Sequence, residues 1–375
     1  MILSSFCKLI CVACILVLPP SIVPRTRYFG PTDATCSRPT LDWHIWCSTA
    51  DVTSVQMTVD GQPVMARYDP NFRAVLYTPD APMTPGAHAV HCEVCFNETS
   101  RFIKDWQTKI ASSPIADYPE PNSAQTVALH HFNQIRSALN LPPFSADRRF
   151  EAAAQDHSDY MAKNQVFGHG EEPGKPDFCG AEAHARLEQH GWGGPYWEGI
   201  TFGSTDPDDA IQEMYDAPYH RLPFLQPGNG FFGFGVAHGR YTAEFSRASV
   251  PATVTSPADR EIDVPTQWIP HEHPDPLQFH PELQNKGPLG YPIMLAQFNG
   301  GTGRLRIYVA ELRDDQGNIV PSVMNYSGDD PNLQDAMIII PTAPLEKGRG
   351  YRVVVQGYRT DGKRLDCRWE FRTQQ

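Results

Sequence analysis

Residues 123–140 read SAQTVALHHFNQIRSALN, a run in which apolar side chains recur at steps of four, three and four. An α-helix turns once every ~3.6 residues, so side chains at these steps share one face. Those side chains are Ala128, Phe132, Ile135 and Leu139. The run therefore predicts an amphipathic helix with one apolar face turned to a core.

Further elements follow this helix in a regular order. Residues 146–165 predict a second amphipathic helix after the break at Pro142-Pro143, and residues 208–215 predict a third. The runs FFGFGVA at 231–237 and YTAEFS at 241–246 predict the two strands of a hairpin. Helices followed by strands are typical of an α+β domain.

Short alternating runs lie on both sides of this domain. They occupy residues 51–109 and 338–373, with turn signals such as Asp60-Gly61 and Lys347-Gly348 between them. This pattern predicts antiparallel β domains. Residues 77–108 also look like a less faithful copy of 341–371, and both resemble bacterial immunoglobulin-like domains. At 375 residues the chain is too long for one ordinary core.

The N-terminus predicts export. Lys8 precedes an apolar run, Leu9 to Leu18, which is typical of a signal peptide ending near residue 25. Lipid attachment at Cys14 is an alternative, although Cys11 stands where such a motif usually has Leu. No other run approaches about 18 apolar residues, so we expect no transmembrane span in the mature chain. The expected location is extracellular or at the cell surface.

The charge balance argues against one class of partner. The formal net charge is -12, and the chain has no cluster of Lys and Arg. Nucleic-acid binding needs a basic face to meet the phosphates. We therefore expect no nucleic-acid partner.

Four cysteines fall in the first β domain: Cys36, Cys47, Cys92 and Cys95. Two disulfides among them are the favoured interpretation, because exported proteins meet oxidising conditions. A four-cysteine zinc site is the alternative. The residues around Cys92-x-x-Cys95 alternate as in a strand, whereas a redox CxxC motif normally begins a helix.

The central segment resembles the CAP superfamily of cysteine-rich secretory, antigen 5 and pathogenesis-related proteins, in particular its bacterial branch. Five pieces carry the resemblance in the family's order over about 125 residues. They are Asn133-Gln-Ile-Arg-Ser-Ala-Leu-Asn-Leu-Pro-Pro-Phe, Ala153 to Met161 with Phe167-Gly-His169, Trp197-Glu198-Gly-Ile200, Ala217-Pro-Tyr-His220-Arg-Leu-Pro-Phe-Leu225, and Phe232-Gly-Phe-Gly-Val. The resemblance implies an α-β-α sandwich.

The resemblance also implies a polar cleft. His169 and His220 would hold a divalent cation, zinc being the first choice, with Glu198 as an orienting group or a further ligand. A hydrogen-bonded cluster without metal is the alternative. Glu213 and Asp216 are the nearby candidates for the family's second carboxylate.

Several positions depart from the family pattern. Gly199, Met214 and Ala217 stand where the family commonly has Asn, Trp and Ser, and residues 170–194 form a loop that does not align. His157 is expected to be a bonded core residue. The segment His271-Glu-His273-Pro-Asp275 is expected to be a solvated linker.

Three functions fit these residues. The first is a non-catalytic protein that binds a cation or a lipid, glycan or peptide ligand, with the aromatic run near Trp192 as a candidate groove. The second is a hydrolase, with Glu198 as base and His169 or His220 as acid. Ser204, Ser246 and Cys179 lack the context of a nucleophile. The third is an adhesion protein that uses its β domains.

The predicted architecture is multidomain. A signal peptide at 1–25 precedes an immunoglobulin-like β domain at 33–112, a central α+β CAP domain at 120–250 and a second immunoglobulin-like β domain at 255–375.

Overall fold

The structure, a computed structural model, describes residues 22–97, 100–298, 305–333, 335–359 and 362–375. The predicted signal peptide, with Cys7, Cys11 and Cys14, lies outside the described residues except for its last positions. In the part of the chain that is described, no helix has both the length and the apolar character needed to cross a membrane.

The first domain is built from two β-sheets. Its strands are β1 (Arg25–Gly30), β2 (Asp33–Cys36), β3 (Leu41–Trp46), β4 (Val52–Val59), β5 (Gln62–Val64), β6 (Arg67–Asp69), β7 (Ala74–Tyr77), β8 (Gly86–Phe96) and β9 (Ser100–Ile115). One sheet has the order β1-β3-β7-β6 and the other β2-β9-β8-β4-β5. Apolar side chains from both sheets, among them Trp43, Val75 and Val94, form the core between them.

The central domain contains the four α-helices of the described chain. Its elements are α1 (Ser123–Ala138), β10 (Ser145–Ala146), α2 (Arg148–Asn164), α3 (Ala183–Gln189), β11 (Tyr196–Phe202), α4 (Pro207–Asp216), β12 (Phe231–Ala237) and β13 (Arg240–Ser246). The sheet has the order β10-β12-β13-β11, so β11 is an edge strand. The helices predicted at 123–140, 146–165 and 208–215 and the predicted hairpin are confirmed.

Two glycines of β12 set how closely α2 approaches the sheet. A Cβ atom at Gly233 would lie 2.0 Å from the carbonyl carbon of Phe150, and one at Gly235 would lie 2.3 Å from that of Ala154. The residues of β12 that alternate with these glycines face the other side of the sheet. There the Phe232 ring stacks on Phe132 of α1, with ring centroids 4.9 Å apart. Helices therefore cover both faces of the sheet, in three layers.

The Asn133-x-x-Arg136 pair closes the end of α1. Asn133 Oδ1 accepts from the Phe144 N–H at 2.9 Å. The buried Arg136 guanidinium donates to the carbonyls of Phe224 and Gln226 at 3.0 and 2.8 Å. These two motif residues hold loops in place and stand apart from the polar cleft.

The last domain again has two larger sheets. Its strands are β14 (Ala252–Ser256), β15 (Glu261–Val264), β16 (Gln267–Trp268), β17 (Leu289–Gly290), β18 (Ile293–Phe298), β19 (Arg306–Asp314), β20 (Ser322–Tyr326), β21 (Ala336–Pro341), β22 (Gly350–Tyr358) and β23 (Arg364–Thr373). The sheets have the orders β14-β18-β21-β20 and β15-β23-β22-β19, and β16 pairs with β17.

The two β domains share one strand order, except that β5 of the first domain has no counterpart in the last. In each, a four-strand sheet faces a sheet whose edge strand runs parallel to the last strand of the domain, β2 beside β9 and β15 beside β23. The sequence similarity between 77–108 and 341–371 therefore has a structural counterpart. The immunoglobulin-like assignment of both domains stays a prediction.

The structure does not contain the predicted disulfides. Every cysteine among the described residues is free. Cys92 is buried in the core of the first domain, whereas Cys95 lies three residues along the same strand and points to the opposite face. The same alternation keeps these two cysteines from joining one zinc site. Cys36 is buried elsewhere, where its thiol contacts the carbonyl of His190 at 3.2 Å.

Both β domains are joined firmly to the central domain. Trp192 is fully buried, with its ring centroid 5.6 Å from Phe72 of the first domain, and the Thr40 N–H donates to the Gly191 carbonyl at 2.9 Å. On the other side one continuous apolar core spans the central and last domains. The loop at 170–194 therefore contributes to a domain interface.

Candidate functional site

His169 and Glu198 meet beside the edge strand β11. His169 follows α2 in a loop, and its Nδ1 lies 2.7 Å from Glu198 Oε1. A carboxylate can only accept, so Nδ1 carries the hydrogen and donates it. The His169 side chain is 54% exposed and that of Glu198 only 3%. A buried carboxylate therefore orients a histidine that solvent can reach.

His220 has the same arrangement with a different carboxylate. It follows α4, and its Nδ1 donates to Glu272 Oε1 at 2.7 Å. The backbone N–H groups of His220 and Tyr219 donate to the same carboxylate, at 2.9 and 3.1 Å. The side chain of Glu272 is fully buried. The segment 271–275 is solvated at His271, His273 and Pro274, as expected, but its glutamate is the buried acceptor that fixes His220.

The two imidazoles face one another. Their ring centroids are 6.4 Å apart and their planes are within 18° of parallel. When each ring is neutral, the hydrogen on Nδ1 leaves Nε2 as the lone-pair atom. The structure brings together His169, Glu198 and His220, as the sequence predicted, and adds Glu272.

Behind this pair lies a buried chain of alternating charges. Arg186 of α3 is fully buried, donates to Glu198, and lies 3.6 Å from Glu171 Oε1. Glu171 in turn accepts from His157 Nδ1 at 2.8 Å. His157 Nε2 faces the carbonyl of Gly168 at 2.9 Å, which confirms it as a bonded core residue. No sequence pattern indicates Arg186, since α3 lies in the loop that does not align.

Two buried carboxyl groups, Glu198 and Glu244, have pKa values that are shifted in opposite directions. Burial alone would raise the pKa of Glu198, but the hydrogen bond from His169 and the charge of Arg186 outweigh it and lower the pKa to about 2. Burial and the charge of Glu198 raise the pKa of Glu244 well above its ordinary value. Glu198 is therefore ionised and Glu244 is protonated.

The two carboxylates considered from the sequence lie elsewhere. Glu213 accepts from the hydroxyls of Thr201 and Ser204, at 2.9 and 2.6 Å. Asp216 accepts from the hydroxyl of Tyr291 at 2.8 Å. Both have structural partners, and the carboxylate beside His220 is Glu272.

The side chains that carry nucleophilic atoms have structural roles. Ser246 Oγ accepts from the Phe231 N–H at 2.7 Å, and Ser204 donates to Glu213. Burial and the nearby Glu171 raise the pKa of the Cys179 thiol, so little of it is thiolate at neutral pH. None of these groups is poised to attack a substrate.

Gly199 packs closely against Met214 and lies beside His220. A Cβ atom there would lie 3.2 Å from Met214 Sδ and 3.7 Å from His220 Cδ2. A larger residue at this position would press on Met214, whereas its Cβ would make only ordinary contact with His220.

The donor atoms at this site supply only part of the ligand shell of a metal ion. Among the described residues, no group of three or more His, Cys, Asp and Glu is arranged to hold one. Zinc usually takes three or four protein ligands, and the paired rings offer two Nε2 atoms. Metal-bound histidines do typically donate their other nitrogen to a carboxylate, as both rings do here. A cation here would complete its shell with water or with a bound molecule.

Residues 129–246 match the model of the CAP family, described as the cysteine-rich secretory protein family, so the chain contains a CAP domain. No curated protein matches the chain. An extracellular protein containing an SCP domain from Bacillus anthracis str. Ames is 14% identical, with 59% of this chain and 88% of that one covered and a TM-score of 0.30. CopC from Methylosinus trichosporium OB3b is 13% identical, with 33% and 94% covered and a TM-score of 0.22. Neither likeness is close enough to add to the assignment.

Proposed function

We propose that this chain, which contains a CAP domain over residues 129–246, is an exported binding protein that acts outside the cell or at its surface. Its ligand site is the pair His169 and His220. The observation that carries the proposal is that Nδ1 of each ring lies 2.7 Å from a buried carboxylate, an arrangement that leaves Nε2 of the neutral ring as the ligand atom.

The ligand of this site is a divalent cation, zinc first, or a small molecule that brings its own donor atoms. Imidazole nitrogen suits zinc, copper and nickel. The carboxylates Glu198 and Glu272 act indirectly, because they fix the tautomer and the orientation of the rings. A cation held by two rings would keep open positions for a ligand that carries oxygen atoms.

Hydrolysis is the alternative that this geometry supports less well. A general base works best when its pKa is close to the working pH. The pKa of Glu198 is lowered to about 2, and both carboxylate oxygens already accept hydrogen bonds, from His169 and Arg186. A carboxylate in that state is a poor base for water.

The test measures zinc binding by calorimetry with the metal-free protein, beside a His169→Ala/His220→Ala double variant. We expect the double variant to lose at least about tenfold in affinity. The matched control is His91→Ala, which removes an exposed histidine whose Nδ1 also lies 2.7 Å from a carboxylate, that of Asp105. The control should bind as the parent does.

Two results would contradict the proposal. One is zinc affinity that is absent in the parent or unchanged in the double variant. The other is turnover of a peptide or glycan by the parent that the double variant lacks, which would establish the hydrolase instead.

A further inference from the structure

A cavity that is separate from the histidine pair lies where the three domains meet. It measures about 320 Å³ and is lined by side chains of all three, among them Trp46 of the first domain, Tyr196 of the CAP domain and Phe298 of the last. This volume is within the range of small-molecule sites, about 300–1,000 Å³, and such sites favour domain interfaces. None of its lining residues belongs to the pair His169 and His220 or to their carboxylates.

Aromatic rings from all three domains form its walls. Tyr28 is 40% exposed, and Trp46 and Tyr196 are half-buried. His184 also lines the cavity and stacks on Tyr196, with ring centroids 5.9 Å apart and planes within 12°. Rings held in this way combine a flat apolar face with a polar tip. They suit a ligand that is itself flat and apolar on one side and polar at its rim.

A buried histidine in the cavity wall lacks a hydrogen-bond partner on one nitrogen. His44 is 3% exposed, and its Nδ1 lies 3.1 Å from the carbonyl of Phe72. Its Nε2 has no hydrogen-bond partner among the described residues and lies 3.6 Å from Oδ2 of Asp42, a fully buried carboxylate whose oxygens also lack partners there. Buried polar atoms are nearly always paired in native proteins. His44 Nε2 and the Asp42 oxygens are enclosed by the protein, so this pair supports the cavity wall and does not reach a ligand in the cavity.

The charged groups narrow the chemistry further. The cavity is lined by the acidic residues Glu182 and Asp335 and by the basic residues Arg73 and Arg247, a balanced set that matches neither a lipid tail nor a strong anion. A hydroxyl group both donates and accepts, and it can pair with a histidine, a carboxylate or a guanidinium. Several hydroxyls on an apolar-faced ring are the chemistry of a sugar.

From this combination we infer that the cavity between the domains binds a carbohydrate, as one sugar ring or a disaccharide unit of a surface glycan. The rings of Trp46, Tyr28 and Tyr196 stack against the C–H face of the sugar. Its hydroxyls bond to the acidic side chains of Glu182 and Asp335. The site is separate from the histidine pair, so the chain would have two ligand sites.

The test uses saturation-transfer NMR and calorimetry on the full mature chain. The probes are glucose, galactose, mannose, xylose and N-acetylglucosamine, each also as its homodisaccharide. We expect at least one probe to bind, and Trp46→Ala/Tyr196→Ala to weaken it at least about tenfold. Tyr28→Ala, a milder change at an exposed ring, should weaken it less and keeps the test valid if the double variant does not fold.

Two control variants test whether the sugar binds at this cavity and not elsewhere on the chain. Tyr308→Ala/Tyr358→Ala removes an exposed aromatic pair of the last domain, 5.8 Å apart, and should leave sugar binding unchanged. His169→Ala/His220→Ala should also leave it unchanged, so the two sites fail independently. The inference is overturned if no probe binds, if both cavity variants bind as the parent does, or if the Tyr308/Tyr358 change abolishes binding.

Discussion

Glu198 and Glu244 lie directly opposite each other on the neighbouring strands β11 and β13, and both side chains are buried. No N–H or hydroxyl group of the described residues reaches the carboxyl oxygens of Glu244. Two buried carboxyl groups this close do not both ionise. Since Arg186 and His169 keep Glu198 charged, Glu244 holds the proton that the pair needs.

Glu244→Gln should flatten the dependence of stability on pH. Because the pKa of Glu244 is raised in the folded protein, its contribution to the free energy of unfolding is complete below pH 4.5, its pKa in the unfolded chain. The contribution is lost as the pH rises toward the pKa in the folded protein. That loss amounts to about 1.4 kcal/mol per pH unit. Glutamine is neutral throughout, so urea unfolding from about pH 5 to about pH 8 should show a smaller slope for the variant. Glu282→Gln, at an exposed carboxylate, should keep the parent's slope, and equal slopes for all three proteins would refute the assignment.

Arg186→Met should destabilise the CAP domain by about 3–5 kcal/mol, because it leaves Glu198 and Glu171 buried without their cation. Thermal unfolding measures the loss. Adding Glu198→Gln removes one of the two carboxylates that are left without a cation, and it should restore part of the lost stability. Lys175→Met breaks an exposed pair with Glu172 and should cost less than about 1 kcal/mol. Equal losses of stability for the Arg186 and Lys175 variants would show that the buried charged side chains contribute no more than an exposed ion pair.

Glu272→Ala should weaken both the fold and the site. It removes the acceptor of three N–H donors on Tyr219 and His220, at a cost on the order of 3 kcal/mol. His220 would also lose the group that fixes its tautomer, so zinc affinity should fall about 10–100-fold. Calorimetry and thermal unfolding test both effects, with Glu282→Ala as the exposed control. Unchanged zinc affinity in a folded variant would remove Glu272 from the site.

Gly235→Ala should destabilise the chain by at least about 3 kcal/mol, because the new Cβ would lie 2.3 Å from the backbone of α2 and neither element can yield cheaply. Gly350→Ala is the matched control in another strand, where the nearest atom is 3.8 Å away. Denaturant unfolding of the two variants gives the comparison. Similar stabilities would mean that α2 lies farther from the sheet.

The sequence predicts the elements whose periodicity is long and regular. Helices α1, α2 and α4 and the β12–β13 hairpin fall where the apolar pattern places them. Helix α3 escapes prediction because it has only seven residues and buries an arginine, Arg186, where a pattern search expects an apolar side chain.

Only the site residues that lie within a family motif can be predicted from the sequence. These are His169, Glu198 and His220. Glu272 lies 52 residues from His220 in a proline-rich segment, and no local pattern connects the two. The cysteines show the same limit, since their spacing does not reveal that Cys92 and Cys95 face opposite sides of one strand.

The acceptor of His220 belongs to a different domain from the histidine itself. A ligand that favours the Nδ1–H form of His220 therefore also strengthens the hydrogen bond from His220 to Glu272. By thermodynamic reciprocity, ligand binding and the contact between the two domains stabilise each other. A force that pulls the last domain away from the CAP domain would lower ligand affinity. A bound ligand would in turn raise the tension that the chain withstands before its domains separate.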